Sequence, residues 1–159
     1  QGEKLWDIVA NAGKKYDIKP GTPNNIERVE SGLFSWGNDM DINSNPLELP
    51  LGNFCQLDKE ADYLSREALH KIRSEGVTKK LVGLIVDGDP FVGGCASPWQ
   101  VMSDNQICGK VSSAAYSPRL KINMAMATID NSHNEIDSEV VVETPWGRRL
   151  AKVTSIPFN

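Results

Sequence analysis

The sequence has few of the residues that build metal sites or disulfide frameworks. Its 159 residues include three cysteines, Cys55, Cys95 and Cys108, which are odd in number and widely spaced. Small secreted disulfide-rich domains usually have an even number at close spacing. No Cys-x-x-Cys pair is present, and His70 and His133 are far apart, so we expect no metal site. Three reduced thiols favour a cytoplasmic protein.

Long apolar runs and clusters of basic residues are also missing. No stretch approaches the roughly 20 apolar residues that a membrane-spanning helix needs, so we expect no membrane segment. The formal net charge is −4, which argues against a nucleic-acid partner because phosphate binding relies on clustered Lys and Arg. What is present is the composition of a globular protein, with 40% hydrophobic and 24% charged residues.

The start of the chain has the pattern of an amphipathic helix. Leu5, Ile8, Val9 and Ala12 recur at the spacing of one helix face, which predicts a helix over residues 4 to 12. Gly13 follows, and glycine readily adopts the left-handed conformation that ends many helices. This is the first of three helices that the sequence predicts before residue 77.

Signals at the helix ends predict the other two. Thr22 can cap a helix whose first position is Pro23, where the missing N–H of proline costs nothing, and Gly32 lies where this helix should end. The third helix has the sequence REALHKIRSEG. It follows Ser65, a second candidate N-cap, and closes at Gly76.

Beyond residue 76 the pattern changes from helices to strands. The predicted strands are KKLVGLIVD, QICGKVSSAAYS, LKINMAMATID, SEVVVET and RRLAKVTSI. The last two are joined by Pro145-Trp146-Gly147, a compact hairpin connection, and we expect Met124 and Met126 to fill the core. Strands at this spacing with no intervening helix predict a small antiparallel barrel or sandwich. We therefore predict an α+β part, residues 1–76, and an all-β part, residues 77–159.

The predicted second helix places charges among apolar residues, just before an aromatic turn. A buried arginine is costly unless it is paired, so Glu27 or Glu30 could form an ion pair with Arg28. Alternatively, Arg28 could offer its planar guanidinium to an anionic or heteroaromatic ligand, with Trp36 providing a stacking face. The residues by themselves leave both interpretations open.

Seven segments, in order, resemble a known enzyme family. They read LWDIVANAGKKYDIKPG, IERVESGLFSWGNDMD, NPLELPLG, DYLSREAL, KKLVGLIVDG, SSAAYSPRL and RRLAKVTSIPF. Together they resemble the C-terminal portion of the aminomethyltransferase family, the tetrahydrofolate-dependent enzymes of the glycine cleavage system. The resemblance covers nearly the whole chain. It implies an α+β fold, in which the C-terminal part of a folate-binding body is followed by a small antiparallel β-barrel.

The resemblance also implies a cofactor and a site. Arg28 and Glu30 match the arginine and glutamate of the family's R-L-E-A-G block, a region that lines the folate pocket, and Trp36 stands where the family usually has tyrosine. We therefore expect these three residues to contribute to binding tetrahydrofolate. A supporting ion pair is an equally good role for Glu30.

Departures from the family pattern bear on the substrate. Asn24 stands where aminomethyltransferases usually have the arginine of an A-R-D sequence. The segment PNNIERVESGLFSWGNDM is more similar to the dimethylsulfoniopropionate demethylase branch, which moves a methyl group from a sulfonium to tetrahydrofolate. The alternatives are an aminomethyltransferase, which would dock a lipoyl carrier protein with Arg119 and Lys121 as candidate contacts, and a binding module without catalytic activity.

The resemblance places no catalytic residue in this sequence. The family's catalytic aspartate and the glutamate that holds the pterin lie upstream of the helix at residues 4 to 12. The chain opens with QGEKLWDIV, without an initiating methionine. We therefore expect it to be the rear part of a longer enzyme, whose N-terminal portion is its partner, and to be inactive alone.

Overall fold

The second half of the chain forms a closed antiparallel β-barrel. The computed structural model describes residues 1–19, 21 and 24–158. Within them the strands are β1 (Lys79–Val86), β2 (Trp99–Ser103), β3 (Gln106–Ser117), β4 (Ile122–Asp130), β5 (Glu139–Thr144) and β6 (Gly147–Thr154). They follow the order β1-β4-β3-β2-β5-β6 around the barrel, which closes where β1 pairs with β6.

The barrel prediction is confirmed, with one strand missed. The five predicted strands are β1, β3, β4, β5 and β6, and the last two meet in a hairpin at Pro145 and Trp146. The missed strand, β2, has only the residues WQVMS and follows a segment rich in Gly, Ser and Pro. Too few residues alternate there for a period of two to be detected.

Strand β4 is buried on both faces because apolar clusters lie on either side of it. Ala125, Ala127 and Ile129 belong to the cluster inside the barrel. Met124 and Met126 belong to a second cluster, which lies between the barrel and the segment of α2 and its following loop. Both methionines are completely buried, so their prediction as core residues is confirmed.

In the part of the chain that the structure describes, three α-helices precede the barrel: α1 (Gly2–Gly13), α2 (Asn25–Glu30) and α3 (Arg66–Glu75). The predicted left-handed end at Gly13 is wrong: the chain continues into a 3₁₀ turn, and Asp17 takes the left-handed conformation with φ 51°. Gly32 and Gly76 do have positive φ at the ends of α2 and α3. Among the described residues, no helix is long and apolar enough to cross a membrane.

The first half of the chain has little core of its own. Of the buried hydrophobic side chains in the described residues, only Val29, Leu49 and Leu57 come from residues 1–76. Val29 and Leu49 lie in the second cluster, where they pack on the outside of the barrel. The segment that follows α2 is therefore held by the barrel. The domain boundary near residue 77 stays a prediction.

Candidate functional site

Helix α2 is fixed at its start by side chains and at its end by the barrel. Asn24 is its N-cap: the Asn24 Oδ1 atom accepts a hydrogen bond from the Glu27 N–H at 2.9 Å, and the Glu27 carboxylate accepts one from the Asn24 N–H. This reciprocal pair is a capping box. The predicted start at Thr22 and Pro23 lies outside the described residues. Near the end of the helix, Val29 is completely buried in the apolar cluster that also contains Met124 and Met126 of the barrel.

Arg28 lies in the joint between α2 and the barrel, and its side chain is only 18% exposed. Its Nη1 atom donates to the Leu33 carbonyl at 2.9 Å and to the Asp39 carboxylate at 2.8 Å. Its Nη2 atom donates to Asn25 Oδ1 at 3.1 Å and to Ser113 Oγ at 2.7 Å. The planar guanidinium thus connects the helix, the loop that follows it and strand β3.

The ion-pair partner of Arg28 is Asp39, so the expectation of a pair with Glu27 or Glu30 is wrong. Glu27 is used in the capping box, and Glu30 faces a different part of the barrel. Glu27 and Glu30 are one and two positions from Arg28 along the helix, and side chains at these spacings do not face each other, whereas the loop after α2 brings Asp39 within 2.8 Å of Nη1. Sequence reasoning did not single out Asp39, because acids after a glycine turn are usually exposed.

Asp39 is a buried carboxylate with donors on both oxygens. Its Oδ2 atom accepts from Arg28 and from the Ser35 N–H at 2.9 Å. Its Oδ1 atom accepts from Ser112 Oγ at 2.6 Å and Ser113 Oγ at 2.7 Å. Successive side chains of a regular strand point to opposite faces, but β3 has a bulge between Val111 and Ser113. The bulge lets two consecutive hydroxyls reach one oxygen.

Glu30 forms the second connection between α2 and the barrel. Its carboxylate accepts a short hydrogen bond from the Ser117 hydroxyl, and Arg119 donates to it from Nε at 2.9 Å and Nη2 at 2.7 Å. The Ser117 hydrogen bond, followed by those from Arg119, lowers the pKa of Glu30 below its ordinary value. The Glu30 carbonyl also accepts the Phe158 N–H at 2.9 Å. This geometry is that of a supporting ion pair.

Trp36 differs from the other two residues of the predicted site because its side chain is 67% exposed. It lies in the turn after α2, where its backbone forms an isolated bridge with Met40. The structure thus places Arg28 and Glu30 at two separate contacts between α2 and the barrel, and it leaves the Trp36 indole accessible. Their roles in binding tetrahydrofolate stay predictions.

A cleft of about 330 Å³ opens beside Asp39, between the loop after α2 and the barrel. Charges of both signs line it, including Asp41 and Lys110, and so does the half-buried thiol of Cys95. Burial raises the pKa of Cys95 to about 11. The Cys95 side chain packs against the apolar cluster inside the barrel, and its thiol donates to the Ser97 carbonyl at 3.0 Å.

Both halves of the chain match one protein family. The model of the glycine cleavage T-protein C-terminal barrel domain matches residues 79–159, and that of the GCVT N-terminal domain matches residues 1–59. The chain belongs to the glycine cleavage T-protein family. The resemblance read from the seven segments is therefore confirmed. The barrel match begins at the first residue of β1.

Curated members of this family are longer than the chain. Dimethylsulfoniopropionate demethylase DmdA from Ruegeria pomeroyi is 37% identical over 152 residues, which cover 96% of this chain and 41% of the demethylase. An aminomethyltransferase from Caldanaerobacter subterraneus is 36% identical over 143 residues, covering 87% and 36%. Another, from Halalkalibacterium halodurans, is 34% identical over 159 residues, covering 97% and 42%. The chain thus spans about two fifths of the length of these relatives.

A solved structure from the same family has the same fold. The glycine cleavage system aminomethyltransferase T from Bartonella henselae aligns with a TM-score of 0.73 and 21% sequence identity, over 85% of this chain and 37% of that one. This likeness supports the fold prediction of a barrel that follows part of an α+β body. At 21% sequence identity, this likeness is evidence for the fold only.

Proposed function

We propose that this chain is part of a tetrahydrofolate-dependent methyltransferase that demethylates dimethylsulfoniopropionate. The observation that carries the proposal is the 37% identity to the demethylase, which extends over 96% of the chain. The sequence PNNIERVESGLFSWGNDM supports the same branch, because Asn24 replaces the arginine expected of an aminomethyltransferase. In the structure, the Asn24 side chain caps α2.

The proposed reaction asks the protein mainly to position its substrates. The bond between sulfur and the methyl carbon breaks, a bond from that carbon to a nitrogen forms, and the sulfur keeps the electron pair as a neutral thioether. Tetrahydrofolate supplies the accepting nitrogen, N5, whose proton passes to solvent. Because a cationic sulfur is already a good leaving group, alignment of donor and acceptor provides most of the catalysis.

The residues of this chain fit a supporting role in folate binding. Both terminal nitrogens of Arg28 and both carboxylate oxygens of Glu30 already have protein partners. We infer that these two side chains hold α2 against the barrel and so fix one wall of the pocket. Trp36 has an exposed indole, which could stack on a planar heteroaromatic ring. The reacting groups would come from the N-terminal portion of the enzyme.

The second candidate is an aminomethyltransferase, because relatives of that activity are 34–36% identical to the chain. This enzyme would bind an acidic lipoyl carrier protein through basic residues. Of the two candidate contacts, Arg119 already forms an ion pair with Glu30, although the Arg119 side chain is still 66% exposed. Only Lys121 has no such ion pair among the described residues.

The choice of substrate tests the proposal. The complete enzyme that contains this chain is supplied with tetrahydrofolate and either dimethylsulfoniopropionate or an aminomethylated lipoyl protein. We expect methyl-tetrahydrofolate and a thioether acid from the first. Ammonia and methylene-tetrahydrofolate from the second would identify an aminomethyltransferase, and no turnover of either would favour the non-catalytic binding module.

A further inference from the structure

The exposed indole of Trp36 is carried by a tight turn, residues 35–40, which we call the Trp36 turn. The Gly37 N–H donates to the Met40 carbonyl at 2.8 Å, and Trp36 forms an isolated bridge with Met40. Gly37 has a φ of 86°, a left-handed value that glycine adopts without strain. Because the indole is 67% exposed, packing of the ring itself contributes little to its position.

Asp39 connects the Trp36 turn to the barrel. Its N–H donates to the Ser35 carbonyl at 2.9 Å, and its Oδ2 atom accepts from the Ser35 N–H at 2.9 Å. Its Oδ1 atom accepts from the hydroxyls of Ser112 and Ser113 in β3, at 2.6 and 2.7 Å. One carboxylate thus joins the residue just before Trp36 to a strand of the barrel.

No other residue of this loop is buried. Between Val29 and Leu49, a stretch that the structure describes completely, Asp39 is the only buried residue. Phe34 and Met40 pack in part against the second apolar cluster. Hydrogen bonds to an ionised carboxylate are short, directional and stronger than those between neutral groups. The position of the turn therefore depends mainly on the contacts of Asp39.

We propose that Asp39 is a positioning residue: fixed by the two serines of β3, it holds the Trp36 indole where a planar ring of tetrahydrofolate can stack on it. The inference rests on the proposed function for the identity of the ligand. It assigns to Asp39 an effect on binding beyond the ion pair with Arg28, because a side chain that contacts a ligand must be held within a fraction of an ångström.

Nuclear magnetic relaxation tests the position of the turn without a ligand, in the complete enzyme that contains this chain. For Asp39→Ala we expect the order parameters of the Trp36 and Gly37 amides to fall from about 0.85, typical of a rigid backbone, to below about 0.6. The milder Ser112→Ala should lower them in part, and the same criteria apply to it if the first variant does not fold. The amides of β4 serve as the internal reference.

A double-mutant cycle connects the position of the turn to ligand binding. At a temperature where each variant is folded, Trp36→Ala should raise the Kd for tetrahydrofolate about 2- to 12-fold, equivalent to one aromatic stacking pair. Asp39→Ala should raise the Kd when the indole is present, and by a smaller factor when it is absent. Any effect that passes through Arg28 instead is present in both backgrounds and cancels.

Ser117→Ala is the matched control for the loss of a serine hydroxyl from β3. Ser117 donates to Glu30 and not to Asp39. This variant should leave the order parameters of the Trp36 turn unchanged. Its effect on the Kd should be the same with and without the Trp36 indole.

Two results would overturn the proposal. One is an Asp39→Ala enzyme in which the order parameters of the Trp36 turn are unchanged. The other is a change in Kd by the same factor with and without the indole, which a purely structural role of Asp39 predicts. Because neither measurement needs a methyl donor, an enzyme that binds folate but does not demethylate dimethylsulfoniopropionate would contradict the proposed function and leave this inference standing.

Discussion

The Nη1 atom of Arg28 lies 2.8 Å from Oδ2 of Asp39, and the Asp39 side chain is completely buried. The arginine comes from helix α2 and the aspartate from the following loop, while Ser112 and Ser113 of the barrel donate to the other carboxylate oxygen. A buried carboxylate is tolerated only when it is paired and hydrogen-bonded. This arrangement fixes the loop and the helix on the barrel at one point.

Replacing Asp39 tests whether this pair holds the joint together. Asp39→Asn keeps the shape of the side chain but leaves the guanidinium of Arg28 without its negative partner. We expect the free energy of unfolding to fall by on the order of 3 kcal/mol, the usual cost of breaking a buried pair. Urea denaturation of the 159-residue chain measures this change.

The matched control for Asp39 is Asp58→Asn. Asp58 also accepts two hydrogen bonds from one arginine, Arg73, but its side chain is 84% exposed. Exposed ion pairs contribute little, so this variant should unfold close to the native midpoint. A similar loss from both substitutions would show that the burial of Asp39 has no special role in stability.

The depressed pKa of Glu30 predicts a loss of stability in acid. Because the folded pKa lies below the ordinary value of 4.5, the ionised carboxylate stabilises the fold above that pH. The contribution is lost as the pH falls through the lower folded pKa. The difference in unfolding free energy between the native chain and Glu30→Gln should therefore shrink as the pH is lowered from 5 to below 4.

Ser117→Ala gives an independent check on Glu30. The Ser117 hydroxyl is the largest cause of the depressed pKa, so removing it should move the carboxyl pKa of Glu30 upward. An NMR titration of the Glu30 side chain measures this shift. A constant stability difference between the native chain and Glu30→Gln at all these pH values would contradict the proposed role of the carboxylate.

Trp36→Ala should affect ligand binding without affecting the fold. Its exposed side chain contributes little packing, so we expect a change in unfolding free energy below about 0.5 kcal/mol. In the complete enzyme, tetrahydrofolate should bind more weakly by about 0.5–1.5 kcal/mol, the typical contribution of an aromatic stacking pair. Phe54→Ala, which removes a ring that is 83% exposed, is the control and should leave folate affinity unchanged.

Arg28→Ala gives a different combination of effects. If Arg28 contributes to folate binding, as the family resemblance implies, its removal should weaken folate binding in the complete enzyme by more than it lowers stability. The structure adds a substantial loss of stability, because the buried Asp39 would lose its charged partner. Reduced stability with unchanged folate affinity in the complete enzyme would restrict Arg28 to the ion pair.

Met124→Ala tests the second apolar cluster. Met124 is fully buried between the barrel and the α2 segment, and replacing a buried methionine with alanine typically costs about 2–5 kcal/mol. We expect the unfolding midpoint to fall accordingly. Ile107→Ala, at a barrel position that is 60% exposed, should cost less than about 1 kcal/mol. Equal losses would mean that the cluster on the outside of the barrel is not tightly packed.

The sequence by itself determined the elements of this protein. The apolar period of 3.6 predicted α1, and the alternating or continuous apolar runs predicted five of the six strands, because these local patterns depend only on how side chains project from the backbone. The ordered motifs determined the family. They also marked Arg28 and Glu30 as unusual, although their partners are 11 and 87 residues away.

Only the tertiary structure decided which groups meet. The β3 bulge that brings Ser112 and Ser113 to Asp39 has no local sequence signature. Met124 is buried on the outside of the barrel because the α2 segment covers it there. An ion pair or a buried face depends on segments that folding brings together from distant parts of the chain, which a period along the sequence does not record. Helix α1 shows the same limit: its amphipathic pattern predicted the helix but does not record which surface its apolar side chains contact.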